Sequence, residues 1–111
     1  MTYIIEDKEL LLEAIDNYDV YTPSVATVLK ILIELSVDDV VIISVLKLSK
    51  LTKISRPVVY KALETFEETG IIERIKKPQH KTSCFYLKAN KLQHIIEHYK
   101  RQKNILNKAI I

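Results

Sequence analysis

The sequence predicts a mainly α-helical fold with a small β-hairpin, an α+β architecture. Three observations support it: apolar residues recur at three- and four-residue steps over most of the chain, short β-branched or aromatic runs have strand length, and capping residues precede the periodic segments. The 111 residues, 48% hydrophobic and 28% charged, suit one globular domain over 1–111.

The first part of the chain predicts two helices and a strand. Residues 7–18 carry one apolar stripe, with Asp7 as N-cap. Thr22 and Pro23 suit the N-cap and first positions of a second helix, which is apolar nearly all round and so belongs at the centre of the domain. The β-branched run 40–43 predicts a strand.

The next part predicts two helices joined by a tight turn. Ser44 can cap a short helix over 45–52, and Lys53 with Ile54 forms the turn. Ser55 is expected to cap a helix over 56–69, and Gly70 ends it.

A hairpin and a last helix complete the chain. Residues 71–76 and 83–87 predict two strands joined by a polar turn over 77–82. Asn90 is the expected cap of a helix over 91–109. The element order is two helices, a strand, a helix, a turn, a helix and a two-stranded hairpin, followed by this last helix.

Residues 48–74 resemble the helix-turn-helix of bacterial and archaeal winged-helix regulators, the broad group that includes MarR-like proteins. The most specific part runs Leu63-x-x-Phe66-Glu67-x-x-Gly70-Ile71-Ile72-x-Arg74. The resemblance covers residues 22–88 as a winged-helix core, with 7–18 and 91–109 as added helices. Lys53 departs from the pattern, because this turn commonly has Gly, and a left-handed lysine costs roughly 1 kcal/mol.

The resemblance implies double-stranded DNA as the partner, with helix 56–69 in the major groove. Its predicted outward face carries Arg56, which suits guanine, Tyr60, which suits a phosphate or a thymine methyl, and Lys61, which suits a phosphate. A basic wing at 76–82 is expected along the DNA backbone or in the minor groove. The full set of predicted DNA contacts is Ser55, Arg56, Pro57, Tyr60, Lys61, Lys50, Lys53, Lys76, Lys77, His80 and Lys81, and Lys47 is a further phosphate candidate.

Charge is distributed unevenly along the chain. Residues 1–20 hold one lysine against six acids, whereas residues 45–111 hold fifteen lysines and arginines against five glutamates. A basic body on a chain of net charge +3 favours a polyanion as partner, although Lys-rich solvated helix faces are also common.

The last helix has apolar residues at alternating steps of three and four, which approximates a coiled-coil seam. We expect it to pack with the first helix of a second copy and so form a homodimer; packing within one chain is the alternative. The predicted dimerisation residues are Leu10, Leu11, Ala14, Ile15, Leu92, Ile95, Ile96, Tyr99 and Leu106.

Few residues of the sequence suggest catalysis or metal binding. His94 and His98 have helical spacing but no evident third metal ligand, and the one cysteine, Cys84, has the pattern of a core strand residue. The single glycine excludes a glycine-rich phosphate loop, so we expect no enzyme, cofactor or metal. The absence of a secretory signal or a long apolar run predicts a cytoplasmic protein without a membrane segment.

The sequence therefore favours a sequence-specific transcription regulator, a dimeric repressor that binds a short palindrome. Two alternatives stay open. One is a winged-helix protein-interaction module, and the other is a non-specific or replication-associated DNA-binding protein of viral or plasmid type.

Overall fold

The computed structural model describes the backbone of residues 8–75 and 83–109 and the side chains of residues 8–75 and 84–105. Five helices and three strands follow one another in the predicted order. They are α1 (Lys8–Asp16), α2 (Pro23–Leu35), β1 (Val40–Ile43), α3 (Val45–Thr52), α4 (Arg56–Glu68), β2 (Ile72–Ile75), β3 (Ser83–Leu87) and α5 (Ala89–Ala109).

Helix α2 lies at the centre of the domain, as its all-round apolar character predicts. The Thr22 hydroxyl accepts a hydrogen bond from the main-chain N–H of Val25, with 3.4 Å between the heavy atoms, and Pro23 occupies the first turn. Helices α1, α3 and α4 and strand β1 all pack against α2. Its buried face consists of Ala26, Val28, Leu29, Leu32 and Ile33.

The three predicted strands form one sheet, in which β1 joins the predicted two-stranded hairpin. Strand β3 lies between the other two and pairs antiparallel with both, in the order β1-β3-β2. Val40 pairs with Tyr86 between β1 and β3, and Ile72 pairs with Leu87 between β2 and β3. The prediction placed β1 correctly but left it unpaired, and its partner residues lie 40 to 46 positions further along the chain.

A two-residue turn introduces β1. Val37 and Val40 exchange both main-chain hydrogen bonds, at 2.9 and 3.0 Å, around Asp38 and Asp39. Both aspartates have positive φ, 51° and 65°, a conformation that Asp tolerates better than most residues do. This turn aligns β1 so that Val41 and Ile43 enter the core.

Helix α4 ends as Gly70 predicts. Gly70 has φ +79°, its N–H donates to the Glu67 carbonyl at 3.2 Å, and the Ile71 N–H donates to the Phe66 carbonyl at 2.9 Å. These two bonds form a Schellman motif, which satisfies carbonyls at the helix end and turns the chain into β2.

Helix α5 starts earlier than predicted. The Lys88 carbonyl accepts bonds from the N–H groups of Lys91 and Leu92, both at 3.0 Å, so Lys88 stands at the capping position. Asn90 therefore lies inside the first turn, and its predicted capping role is wrong.

The N-terminal half of α5 packs on α1 of the same chain. Six predicted dimerisation residues are therefore core residues here, each at most 7% exposed, and a contact with a second copy must use other side chains. These six are Leu11, Ala14, Ile15, Leu92, Ile95 and Ile96. Leu10 and Tyr99 are partly buried against the same core, and the side chain of Leu106 lies outside the described part.

Candidate nucleic-acid interface

Helix α4 is fixed by one face and exposes the other. Val59, Ala62, Leu63 and Phe66 are fully buried and hold the helix against the core. On the exposed surface lie the predicted contacts Arg56, Pro57, Tyr60 and Lys61. The structure thus brings these four residues together along one helix, in the amphipathic arrangement that a groove-binding helix needs.

The turn before α4 sets the direction of that helix. Lys53 has φ 59° and ψ 30°, so it takes the left-handed conformation expected where glycine is common. The Ser49 hydroxyl donates to the Ile54 carbonyl, and the Thr52 hydroxyl accepts from the Ile54 N–H at 3.3 Å. Side-chain hydrogen bonds across the turn thus hold Lys53 in place and leave its side chain exposed.

Ser55 occupies the N-cap position of α4 but makes no side-chain capping bond, so its predicted capping role is wrong. A capping oxygen accepts from the second or third N–H of a helix, and Pro57 removes the first of these donors. The Ser55 side chain is therefore exposed at a helix N-terminus, a position that favours an anion such as a DNA phosphate.

Basic side chains precede α4. Lys47 and Lys50 lie on α3 and Lys53 lies in the turn, and all three are exposed. None of the three has an acidic side chain within ion-pair distance in the described ranges 8–75 and 84–105. Their exposure is compatible with the predicted phosphate contacts of Lys50 and Lys53, which stay a prediction.

The predicted wing contacts Lys76, Lys77, His80 and Lys81 lie outside the described residues. Strands β2 and β3, which lead to these residues, are described, and Ile75 opposite Cys84 is the pair of the β2–β3 ladder nearest to the wing.

Arg74 ties the hairpin to the end of α4, a role that the sequence analysis missed. Its Nε lies 2.8 Å from Oε1 of Glu67, and its guanidinium lies 5.3 Å from the ring centroid of Phe85. The Nε–H makes no directed hydrogen bond, so the contact with Glu67 is an ion pair only. The sequence could have indicated this contact, because the acidic Glu67 and the basic Arg74 stand on the two sides of the turn at Gly70.

The sequence profile of the ferric uptake regulator family matches residues 20–104. The chain belongs to this family. Members of this family are winged-helix DNA-binding regulators, and the prediction of a winged helix-turn-helix is confirmed.

A solved structure supports the fold of this ferric uptake regulator family member. It is a mutant MarR from E. coli complexed with operator DNA, 18% identical in sequence, with a TM-score of 0.51. The match covers 85% of this chain and 63% of the MarR chain, so this chain spans less than two thirds of the length of the MarR chain. No curated protein matches significantly.

The family name points to iron, and the described donors do not fit a metal site. No group of three or more His, Cys, Asp or Glu side chains is placed to hold a metal ion within residues 8–75 and 84–105. His94 lies 3.8 Å from Glu97, whereas the ring of His98 packs edge-on against Tyr18 at 5.6 Å. Cys84 is partly buried on β3.

Among the helices of the described ranges, none combines the length and the apolar character that a membrane span requires.

Proposed function

We propose that this regulator is a sequence-specific, homodimeric repressor that acts in the cytoplasm and places α4 in the major groove of a palindromic site. The observation that carries the proposal is the exposed face of α4, with Arg56, Tyr60 and Lys61, preceded by the exposed Lys50 on α3 and Lys53 in the turn. The first group would contact base edges and nearby phosphates, and the second would contact the backbone.

Each side chain has a role that suits its chemistry. Arg56 stands in the first turn of α4, where its guanidinium suits bidentate bonding to guanine. Tyr60 is 54% exposed and offers a ring to a thymine methyl or a hydroxyl to a phosphate. Ser55, Lys50, Lys53 and Lys61 would bind phosphates, and the wing residues Lys76, Lys77, His80 and Lys81 would extend this contact.

The exposed end of α5 supports the proposed dimer. Helix α5 has 21 residues and α1 has nine, so at about 1.5 Å per residue the longer helix extends well beyond its partner. Residues 101–105 are all exposed, and Ile105 is 59% exposed. Ile105 would give a second copy an exposed apolar side chain to contact.

A dimer test can use matched charge insertions. The double variant Ile105→Glu/Leu106→Glu should be monomeric in sedimentation at concentrations where the unchanged chain is dimeric. The control Gln102→Glu/Asn104→Glu adds the same charge to exposed positions of α5 and should stay dimeric. Dimerisation of both variants, or a monomeric parent chain, would contradict the proposed interface.

Selection from a random pool of double-stranded DNA tests the function itself. We expect enrichment of an inverted repeat whose half-sites are about 10 base pairs, or a multiple, apart. The selected site should bind at least about 100-fold more tightly than a scrambled one at the same salt concentration. Equal affinity for all sequences would favour a non-specific DNA-binding protein.

One observation favours the protein-interaction alternative. Ile42 and Tyr86 are 69% and 42% exposed on the face of the sheet that points away from the core. If the chain binds no DNA even at about 50 mM salt, where phosphate contacts are strong, docking of another protein becomes the better proposal.

A further inference from the structure

The first turn of α4 projects from the domain. The N-cap residue and the first three residues of the helix are all exposed, namely Ser55, Arg56, Pro57 and Val58. The first residue of α4 to enter the core is Val59, which is fully buried. A helix that lies along a core usually buries about one residue in each turn. Because the whole first turn is exposed, side chains on more than one side of it can reach into a groove.

Val58 differs from the other aliphatic residues of α4. It is 40% exposed, whereas Val59, Ala62 and Leu63 are fully buried. At an exposed helix position valine is less favourable than alanine, because its branched side chain loses freedom at χ1. The core therefore does not require a valine at position 58, and helix propensity slightly disfavours it.

The chemistry of the Val58 side chain restricts what it can recognise. It consists of methyl groups and carries no polar atom, so a donor or acceptor that it covers loses its partner. In the major groove guanine, adenine and cytosine present donors and acceptors, whereas thymine also presents a C5-methyl group. Valine keeps mostly one χ1 rotamer in a helix, so its methyl groups have a fixed position. A fixed apolar side chain suits contact with one thymine methyl group.

The neighbours of Val58 fit a base contact. Arg56, two residues earlier, suits guanine, and Lys61, one turn later on the same side of the helix, suits a phosphate. Pro57 between them has no N–H and no polar side-chain atom, so the apolar surface continues across the first turn. No acidic residue occurs from the N-cap to Lys61.

We propose that Val58 is a specificity-determining residue that contacts the C5-methyl group of one thymine in each half-site. This inference rests on the proposed insertion of α4 in the major groove, and it names a base that the site must contain. Val58 selects thymine over cytosine at its position. Because the methyl group is the feature recognised, 5-methylcytosine is also preferred to cytosine there.

The test compares thymine with 2′-deoxyuridine in the selected duplex, since uracil keeps every polar group of thymine and lacks only the methyl group. Each thymine of the half-site is replaced in turn, and binding of the full chain is measured at one salt concentration. At the position that Val58 contacts, the replacement should weaken binding by about 3- to 5-fold, which corresponds to one methyl group withdrawn from water. Val58→Ala should bind the thymine and uracil versions of this position equally.

Two control variants separate the role of Val58 from other effects. Val20→Ala removes the same atoms from a residue that is 72% exposed in the connection from α1 to α2, and it should keep the preference of the parent chain. Tyr60→Ala removes the other candidate for a methyl contact and should also keep the preference at the Val58 position. In a second measurement, cytosine and 5-methylcytosine replace this thymine, paired with guanine. The parent should prefer the methylated duplex, and Val58→Ala should not.

Three results would overturn the proposal. They are no effect of uracil at any thymine, an unchanged effect at every thymine in Val58→Ala, and an effect that only Tyr60→Ala abolishes. Each can occur with a duplex that is selected and bound specifically, so each contradicts the role of Val58 and leaves the proposed function intact. If no specific duplex is selected, the proposed function fails, and this inference fails with it.

Discussion

The Ser49 hydroxyl donates a hydrogen bond to the main-chain carbonyl of Ile54, with 2.5 Å between the two oxygens. This bond joins α3 to the residue that follows Lys53, whose left-handed conformation costs a lysine roughly 1 kcal/mol. Thr52 adds a second support, since its hydroxyl donates to the Leu48 carbonyl at 2.7 Å. The turn thus has specific polar contacts that offset the strain of a residue other than glycine.

We predict that Ser49→Ala lowers the free energy of unfolding by about 1 kcal/mol, because the substitution leaves the partly buried Ile54 carbonyl without this donor. Urea unfolding measures the change. Ser24→Ala is the control, since Ser24 has no side-chain hydrogen bond in the described part, and it should stay within about 0.5 kcal/mol of the parent. Equal stability of the two variants would show that the Ser49 bond contributes nothing.

Gly70→Ala should destabilise the chain by about 1–2 kcal/mol. The cause is the backbone alone: φ is +79°, whereas the nearest atom to an added Cβ, Cε of Lys91, lies at an ordinary 3.7 Å. Lys53→Gly is the reciprocal control, since it removes a side chain from another residue with positive φ, and it should not lower the stability. Urea unfolding of both variants checks the prediction, and an unchanged Gly70→Ala variant would contradict it.

The order of the elements could be predicted because its signals are local. Thr22 with Pro23 begins a helix and Gly70 ends one, and each signal acts within a few residues of chain. The exposed face of α4 followed from the same periodicity, which places Val59 and Phe66 inside and Tyr60 outside.

The remaining features depend on contacts between distant segments. Periodicity shows that the apolar stripe of α5 is covered, but it does not show whether α1 of the same chain or a second copy covers it. The pairing of β1 with β3 and the contact of Arg74 with Glu67 are equally non-local.

Stability should fall at alkaline pH in a manner that depends on Tyr21. Its pKa is about 12 in the folded chain, because burial disfavours the phenolate, and near 10 when unfolded. Between these values the folded state holds a proton that the unfolded state releases, so the free energy of unfolding falls as pH rises.

Urea unfolding at pH 9, 10 and 11 measures this dependence. The parent chain should lose more stability over this range than Tyr21→Phe, whereas the exposed Tyr60→Phe control should follow the parent. Parallel curves for the parent and Tyr21→Phe would contradict the assignment.

Lys50→Gln should weaken binding to the selected DNA and to a scrambled duplex by similar factors. A phosphate contact carries no sequence information, and its loss should reduce the slope of log K against log salt by about one. Lys100→Gln, which removes the same charge from α5, should leave the slope unchanged. A slope that falls equally in both variants would indicate a general effect of net charge.

Arg56→Ala should relax sequence preference at one position in each half-site. Arg56 is exposed in the first turn of α4. Loss of its bidentate bond to guanine should reduce the binding free energy for the selected site by about 1–3 kcal/mol, and it should change binding to a site that lacks this guanine very little. The measurement repeats the selection with the variant and compares affinities for sites that differ at one base pair. Lys61→Ala is the matched control on the same helix, because loss of a phosphate contact should weaken all sites alike. If Arg56→Ala weakens all sites uniformly, Arg56 binds a phosphate, and the base-reading role must belong to another residue on the exposed face of α4.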